Sequence, residues 1–165
     1  MRILFIGAGR MGLPIISSWK KGREHKPIDI HLVEKLEANI NKIKKENIKV
    51  NFYKKIPKKW KGDVIFFAVK PQDFKKVAEE INLNNVLFKN IVSIMAGITT
   101  SKIRSYLKTK TSVTRVMPNL AVEVNLGVNC IFHSSNSKKL FKKNINSLFD
   151  ILGNNYEIKD EKLLD

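Results

Sequence analysis

The chain is expected to fold as α/β, a doubly wound, mostly parallel sheet with helices on both faces. Three observations lead there. Short β-rich apolar runs alternate with amphipathic stretches over the whole length. The run Val64-Ile65-Phe66-Phe67-Ala68-Val69 is unbroken after Asp63, the pattern of a parallel strand covered on both faces. The first run ends directly in Gly7-Ala8-Gly9-Arg10-Met11-Gly12, which opens a helical pattern.

Arg2–Ile6 reads as a buried strand because its apolar, β-rich residues stop at a glycine. In the helix that follows, Met11, Ile15, Ile16 and Trp19 recur on one face, and Pro14 is tolerated because it lies near the first turn. Ile28, Ile30, Leu32 and Val33 make a second strand ending at Glu34. Residues 35–46 form a Lys- and Asn-rich helix with Leu36, Ile40 and Ile43 inward, and 48–52 a third strand. Strand 63–69 comes next, then helix 72–81, strand 90–95 and helix 101–107. Strands 112–117 and 127–132, helix 137–152 and a short strand around 156–158 complete the pattern, with the lysine-rich 54–61 as an exposed connection. With 165 residues, 43% of them hydrophobic, the chain suits one globular domain with its own core and excludes a disordered polypeptide.

The 31 Lys+Arg against 15 Asp+Glu leave a net charge of +16, which by itself suggests a polyanionic partner. The excess is nearly all lysine, however. Arginine, the better bidentate reader of phosphates and bases, stands only at positions 2, 10, 23, 104 and 115. The lysines are spread along the chain, so they read as a solvated surface, and no nucleic-acid partner is expected. Cys130 is the sole cysteine and reads as a small buried hydrophobe, so neither an internal disulfide nor a cysteine-based metal cluster can form. His25, His31 and His133 lack metal-ligand or triad spacing, Asp63 reads as a turn residue, and no metal is expected. Without a leader-like run or a stretch of about 18 apolar residues, a cytoplasmic protein with no membrane contact is expected.

The glycine motif carries the chemistry. Gly7 permits the tight turn, Gly9 lets backbone approach a pyrophosphate, Gly12 lets the helix pack on the sheet, and the helix N-terminus adds N–H donors and positive dipole. The context of strand, turn and helix makes this a Rossmann-like dinucleotide site. Glu34, at the end of the second strand, is placed to accept from both adenine-ribose hydroxyls and to repel a 2′-phosphate, which favours NAD; Lys35 beside it can reach a 2′-phosphate instead. Three further segments end strands on the ligand side: Ala68-Val69-Lys70-Pro71-Gln72, Ser93-Ile94-Met95-Ala96-Gly97 and Arg115-Val116-Met117-Pro118-Asn119.

The order and spacing of these motifs, with Ala96-Gly97-Ile98-Thr99-Thr100, resemble the pyrroline-5-carboxylate reductases over essentially the whole chain. That resemblance implies NADPH or NADH as cofactor and 1-pyrroline-5-carboxylate, reduced to L-proline, as substrate. It implies that Gly7, Ala8, Arg10, Met11 and Gly12 hold the pyrophosphate, with Gly9 at the close approach. Ala68, Val69, Lys70 and Pro71 would border the nicotinamide ribose, Ala96 and Gly97 would lie beneath the ring, and Met117, Pro118 and Asn119 would close the reaction end. Lys70 and Asn119 are the candidates nearest the reacting atoms, with none assigned as the proton donor. Where the family has an asparagine after the third strand, this chain has Tyr53-Lys54-Lys55, so adenosine contacts there differ.

Residues 1–158 are accordingly expected to be the NAD(P)-binding domain and 159–165 the start of a helix leading, in the family, to a C-terminal helical domain for substrate and dimerisation. A homo-oligomer is expected when that domain is present. The 165 residues alone are expected to bind cofactor with little or no turnover, and an apolar face around 119–128 and the last helix is expected to be exposed. The alternatives are an NAD(P)-sensing module without turnover and a related reductase with another substrate.

Overall fold

The computed structural model describes residues 1–21 and 27–164; His25 lies outside the described residues. Eight strands form one sheet: β1 (Arg2–Ile6), β2 (Asp29–Val33), β3 (Asn51–Tyr53), β4 (Val64–Phe67), β5 (Asn90–Ser93), β6 (Ser112–Pro118), β7 (Gly127–His133) and β8 (Gly153–Ile158). Their order is β3-β2-β1-β4-β5-β6-β7-β8, and the chain reverses its winding direction between β1 and β4. The first six strands are mutually parallel, so all their carboxyl ends meet along one edge of the sheet. β7 runs antiparallel to β6, and β8 parallel to β7. The reversal has a simple cause: residues 119–126 contain one 3-10 turn, Leu120–Val124, and are too few for a parallel crossover.

Among the described residues five helices cover the sheet: α1 (Gly12–Lys21), α2 (Glu37–Lys45), α3 (Phe74–Leu83), α4 (Thr100–Leu107) and α5 (Lys139–Asp150). Alternation along each strand divides the core in two. Ile3 and Phe5 of β1, Ile30 and Leu32 of β2 and Phe66 of β4 pack with Ile15, Ile16 and Trp19 of α1, Ile43 of α2 and Phe149 of α5. Leu4, Ile6, Ile65 and Phe67 face the other way, onto Phe74, Val77 and Ile81 of α3 and Ile103 of α4. Residues 54–61 do present their lysines to solvent, but Ile56 and Trp60 between them are buried over the second face, so this connection doubles as cover. None of the helices described is long and apolar enough to cross a membrane.

The first face is locked by rings. Phe66 stacks on Phe5 with centroids 4.3 Å apart, Trp19 meets Phe66 edge-on at 5.4 Å, and the buried Trp19 Nε1 donates to the Leu148 carbonyl at 2.8 Å. That set joins β1, α1, β4 and the last turn of α5. The apolar side chains of Leu120, Val124, Leu126, Val128 and Leu140 are exposed, matching the expected apolar face. Cys130 is half-buried rather than buried, because it lies on the face of β7 shared with exposed Val128 and half-buried Phe132, opposite buried Asn129, Ile131 and His133. Asp63 accepts from the Arg2 amide at 3.0 Å and pairs with Lys89 at 2.8 Å, tying the starts of β1 and β4; these contacts, the amide first, hold its carboxyl below the usual range. Of residues 159–165, expected as the start of a helix, the described 159–164 contain one 3-10 turn, Glu161–Leu164.

Two outcomes follow from this core. Phe66→Ala removes the ring shared by β1, α1 and α5 and is expected to cost about 3–5 kcal/mol, read from the urea midpoint at unchanged m-value. His133 is buried, bonded to Thr114 and Asn146, and burial pushes its pKa below the ordinary 6.5. The unfolded chain therefore binds this proton at higher pH than the folded one, and stability falls as pH drops through 6.5 toward the lowered folded value. His133→Gln is expected to lessen the decline in urea midpoint between pH 7.5 and 5.5; an unchanged decline would refute the assignment.

Candidate functional site

At the switch point the turn after β1 lies against the end of β4. Gly7 has φ +94°, and its amide donates to the Val33 carbonyl at 2.9 Å. A Cβ here would stand 2.7 Å from the Ala68 carbonyl oxygen, so conformation and close approach both require glycine. A Cβ on Gly12 would stand 2.4 Å from the Gly7 carbonyl oxygen and 3.2 Å from the Ala68 Cβ, so α1 can begin against the sheet only without one. Gly9 differs: nothing lies within 4 Å of where its Cβ would be. The loop is thus closed toward the protein and open on one side, with α1 starting behind it and the Leu13 amide of its first turn donating to the Gly9 carbonyl at 3.1 Å.

Glu34 is 7% exposed and its carboxylate is surrounded. Oε1 accepts from the amides of Lys35 at 2.7 Å and Leu36 at 2.9 Å; Oε2 accepts from the Ala8 amide at 2.7 Å and Asn39 Nδ2 at 3.0 Å. Lys35 is directed elsewhere, its Nζ 3.6 Å from Glu80 of α3. Asn39, in the first turn of α2, was not singled out in the sequence; its only signal was a position five residues after Glu34. Beside the loop a cavity of about 620 Å³ is lined by Ala8, Gly9, Arg10, Asn39 and Lys42, among others. Arg10 is exposed and Met11 packs against the first-face core.

The remaining segments come to the same edge. Ala68 donates to the Ile6 carbonyl at 2.9 Å, Val69 is half-buried, and exposed Lys70 precedes Pro71, which starts a 3-10 turn, Pro71–Asp73, before α3. Pro71 fits there because its fixed φ and missing N–H suit a first helical position. After β5, the Ser93 hydroxyl accepts from the Met95 amide at 3.2 Å, and exposed Ala96 and Gly97 turn the chain, Gly97 at φ +66° with open space where a Cβ would be. Thr99 then caps α4 by accepting from the Lys102 amide. At the end of β6, Met117 and Pro118 are half-buried; Asn119 is exposed, its Oδ1 accepting from the Val128 amide at 3.1 Å, which holds the start of β7.

One charged residue of this region, named in its segment, was given no role by the sequence. Arg115, 1% exposed and in register with Ser93, pairs with Glu161 at 3.1 Å, and Glu161 also accepts from the Thr100 amide at 2.6 Å and hydroxyl at 2.9 Å. The closing turn is thereby fastened to β6 and to the start of α4. No local pattern announces a pairing across 46 residues. Among the described residues, no cluster of three or more His, Cys, Asp and Glu stands together as a metal site would.

Residues 2–97 match the family described as NADP oxidoreductase, coenzyme F420-dependent. Over 164 residues the chain is 29% identical to the pyrroline-5-carboxylate reductase of Staphylococcus epidermidis, covering 99% of this chain and 60% of that protein. A pyrroline-5-carboxylate reductase from Coxiella burnetii has the same fold, with a TM-score of 0.79 at 24% identity over 98% of this chain and 60% of that one. A pyrroline carboxylate reductase from Plasmodium falciparum, solved with NADP bound, gives 0.75 at 20% identity over 99% and 59%. The chain therefore spans about 60% of the length of these relatives. Glu161→Ala, which strips Arg115 and Thr100 of a charged partner, is expected to cost about 1.5–3 kcal/mol in a denaturant titration; a loss below about 0.5 kcal/mol would show that the clasp holds nothing.

Proposed function

The chain belongs to the family described as NADP oxidoreductase, coenzyme F420-dependent, and from that premise we propose that it supplies the cofactor-binding part of an NAD(P)H-dependent reductase that converts 1-pyrroline-5-carboxylate to L-proline. The observation that carries the reading is the glycine turn: closed against Ala68 at Gly7 and Gly12, open at Gly9, and backed by the start of α1. That is the cradle a pyrophosphate needs, with close backbone approach at Gly9 and the positive end of the helix dipole facing a doubly negative group. The relatives' names support the substrate, and the Plasmodium structure with NADP bound supports the cofactor.

In this reading Gly7, Ala8, Gly9, Arg10, Met11 and Gly12 hold the pyrophosphate. Ala68, Val69, Lys70 and Pro71 border the nicotinamide ribose, Ala96 and Gly97 support the ring, and Met117, Pro118 and Asn119 close the reacting end. Bound NAD(P)H supplies a hydride. The chain's own task is to fix that donor, and the small exposed Ala96 together with the open space beside Gly97 leaves room for a planar ring to lie flat. Lys70 and Asn119 are the polar side chains of the set nearest the substrate side. Lys70 serves in orienting the ribose, since an imine is protonated by water without a dedicated acid.

Residues 1–158 act as the nucleotide domain, and 159–165 lead toward the part of the relatives that this chain does not span. A cytoplasmic setting belongs to the proposal, supported by a fold that uses no internal disulfide. So does a homo-oligomeric complete enzyme, supported by the apolar side chains of Leu120, Val124 and Leu126 left in solvent.

The test is a titration of the 165-residue polypeptide with NADPH and NADH followed by nicotinamide fluorescence, together with a reductase assay. Saturable binding with little or no turnover of 1-pyrroline-5-carboxylate is expected. Absence of binding to either dinucleotide would overturn the reading, and turnover matching that of a complete enzyme would overturn the assignment of half the site to the remaining part.

A further inference from the structure

Resting on the dinucleotide reading above, we propose that Glu34 is a positioning residue that clamps the glycine loop, and that the 2′ position of the adenine ribose is read instead by Arg10 and Lys42, so that the site takes a 2′-phosphorylated dinucleotide at least as readily as NADH. A carboxylate at the end of the second strand is ordinarily free to accept from ribose hydroxyls and to repel a phosphate there. Here it is not free. A carboxylate offers about four lone-pair positions, and the Lys35, Leu36 and Ala8 amides and Asn39 Nδ2 fill them, two on each oxygen. Accepting from the ribose would mean giving up one of these bonds, each to an ionised acceptor and made in a site closed to solvent.

The bond to Ala8 is the informative one. Ala8 is the fully buried second residue of the glycine loop, so its amide is spent on Glu34, 26 residues away, and the loop is tied through it to the end of β2. Asn39 makes the arrangement three-sided by holding the same oxygen from α2. Removing the carboxylate would therefore loosen the turn whichever dinucleotide binds.

The same contacts weaken the argument for phosphate exclusion. The charge of Glu34 is met by four donors and buried, whereas the cavity beside the loop has Arg10 and Lys42 on its wall, both exposed. Of the two carboxylates on that wall, Glu46 is already engaged by Ser17 at 2.7 Å and Lys21 at 2.9 Å, and Glu123 is an exposed side chain on the 3-10 turn that follows β6. Lys35, adjacent in sequence to Glu34, is held toward Glu80 on the far side. The cations available to a 2′-phosphate are thus Arg10, from the loop itself, and Lys42, from the second turn of α2.

Three measurements on the 165-residue chain decide this. First, NADPH is expected to bind wild type as tightly as NADH or more so, and Arg10→Ala with Lys42→Ala is expected to weaken NADPH relative to NADH by about tenfold. Second, Glu34→Gln, which keeps the shape but loses acceptor positions, is expected to weaken both dinucleotides by about tenfold while their ratio stays within about threefold. Third, in Glu34→Gln without nucleotide, amide exchange at Ala8 is expected to speed by at least about tenfold while Ile91 in β5 is unchanged, a local response that a general loss of stability would not give. NADH bound at least tenfold more tightly than NADPH, with that preference abolished in Glu34→Gln, would overturn the proposal. If wild type binds neither dinucleotide, the functional reading fails, while Ala8 exchange still decides the clamp. If Ala8 exchange is unchanged in Glu34→Gln, the clamp fails, whatever binds.

Discussion

Between β1 and β4 the backbone of Gly7 comes so near Ala68 that a single added carbon would stand 2.7 Å from its carbonyl oxygen, and Gly12 comes nearer still to Gly7. Much else depends on that approach. It fixes where α1 begins, and α1 carries Trp19 to the rings of Phe5, Phe66 and Phe149 on the first face. It also fixes which side of the loop stays open, since the loop cannot turn Gly9 toward the sheet while Gly7 and Gly12 occupy that space. Packing and site are the same constraint seen from two sides: the core sets the strand ends, and the strand ends set the cradle.

A parallel arrangement gives this constraint its reach. Because the first six strands share a direction, the segments after β1, β4, β5 and β6 gather on one edge although they lie far apart in the chain. The last three are stabilised by local devices: the Pro71 turn after β4, the Ser93 hydroxyl on Met95 and the Thr99 cap after β5, and Asn119 on Val128 after β6. Two charged residues then join segments that these devices leave separate. Glu34 ties the glycine loop to β2 and α2, and Glu161 ties the closing turn to β6 and α4. Both work because a carboxylate can accept several hydrogen bonds at once, Glu34 in a buried place and Glu161 in a half-buried one.

The order of the elements was legible in the sequence because strand and helix periods are local properties, and the glycine motif announced the first turn. Even the direction of β7 follows from a count, since the residues between Pro118 and Gly127 cannot make a crossover. Boundaries were less legible: the third strand is Asn51–Tyr53 rather than 48–52, because pairing with His31, Leu32 and Val33 of β2 decides it, not hydrophobicity alone. Trp60 and Ile56 were hidden among lysines, and their burial depends on a sheet face built by distant strands. The positions that line the edge could be named from their motifs, but the partners of Glu34 and Arg115 could not. Ala8 and Glu161 reach them across 26 and 46 residues, distances over which spacing carries no information.

The central claim is that this edge, at the crevice between β1 and β4, receives a nicotinamide dinucleotide. Amide chemical-shift mapping of the isotope-labelled chain with NADPH tests it most directly. The perturbed amides are expected to fall in residues 7–12, 68–72, 95–97 and 117–119, with the opposite ends of the strands, around Asp63 and Asn90, unaffected. Perturbations confined to those opposite ends, or none at saturating NADPH, would contradict it.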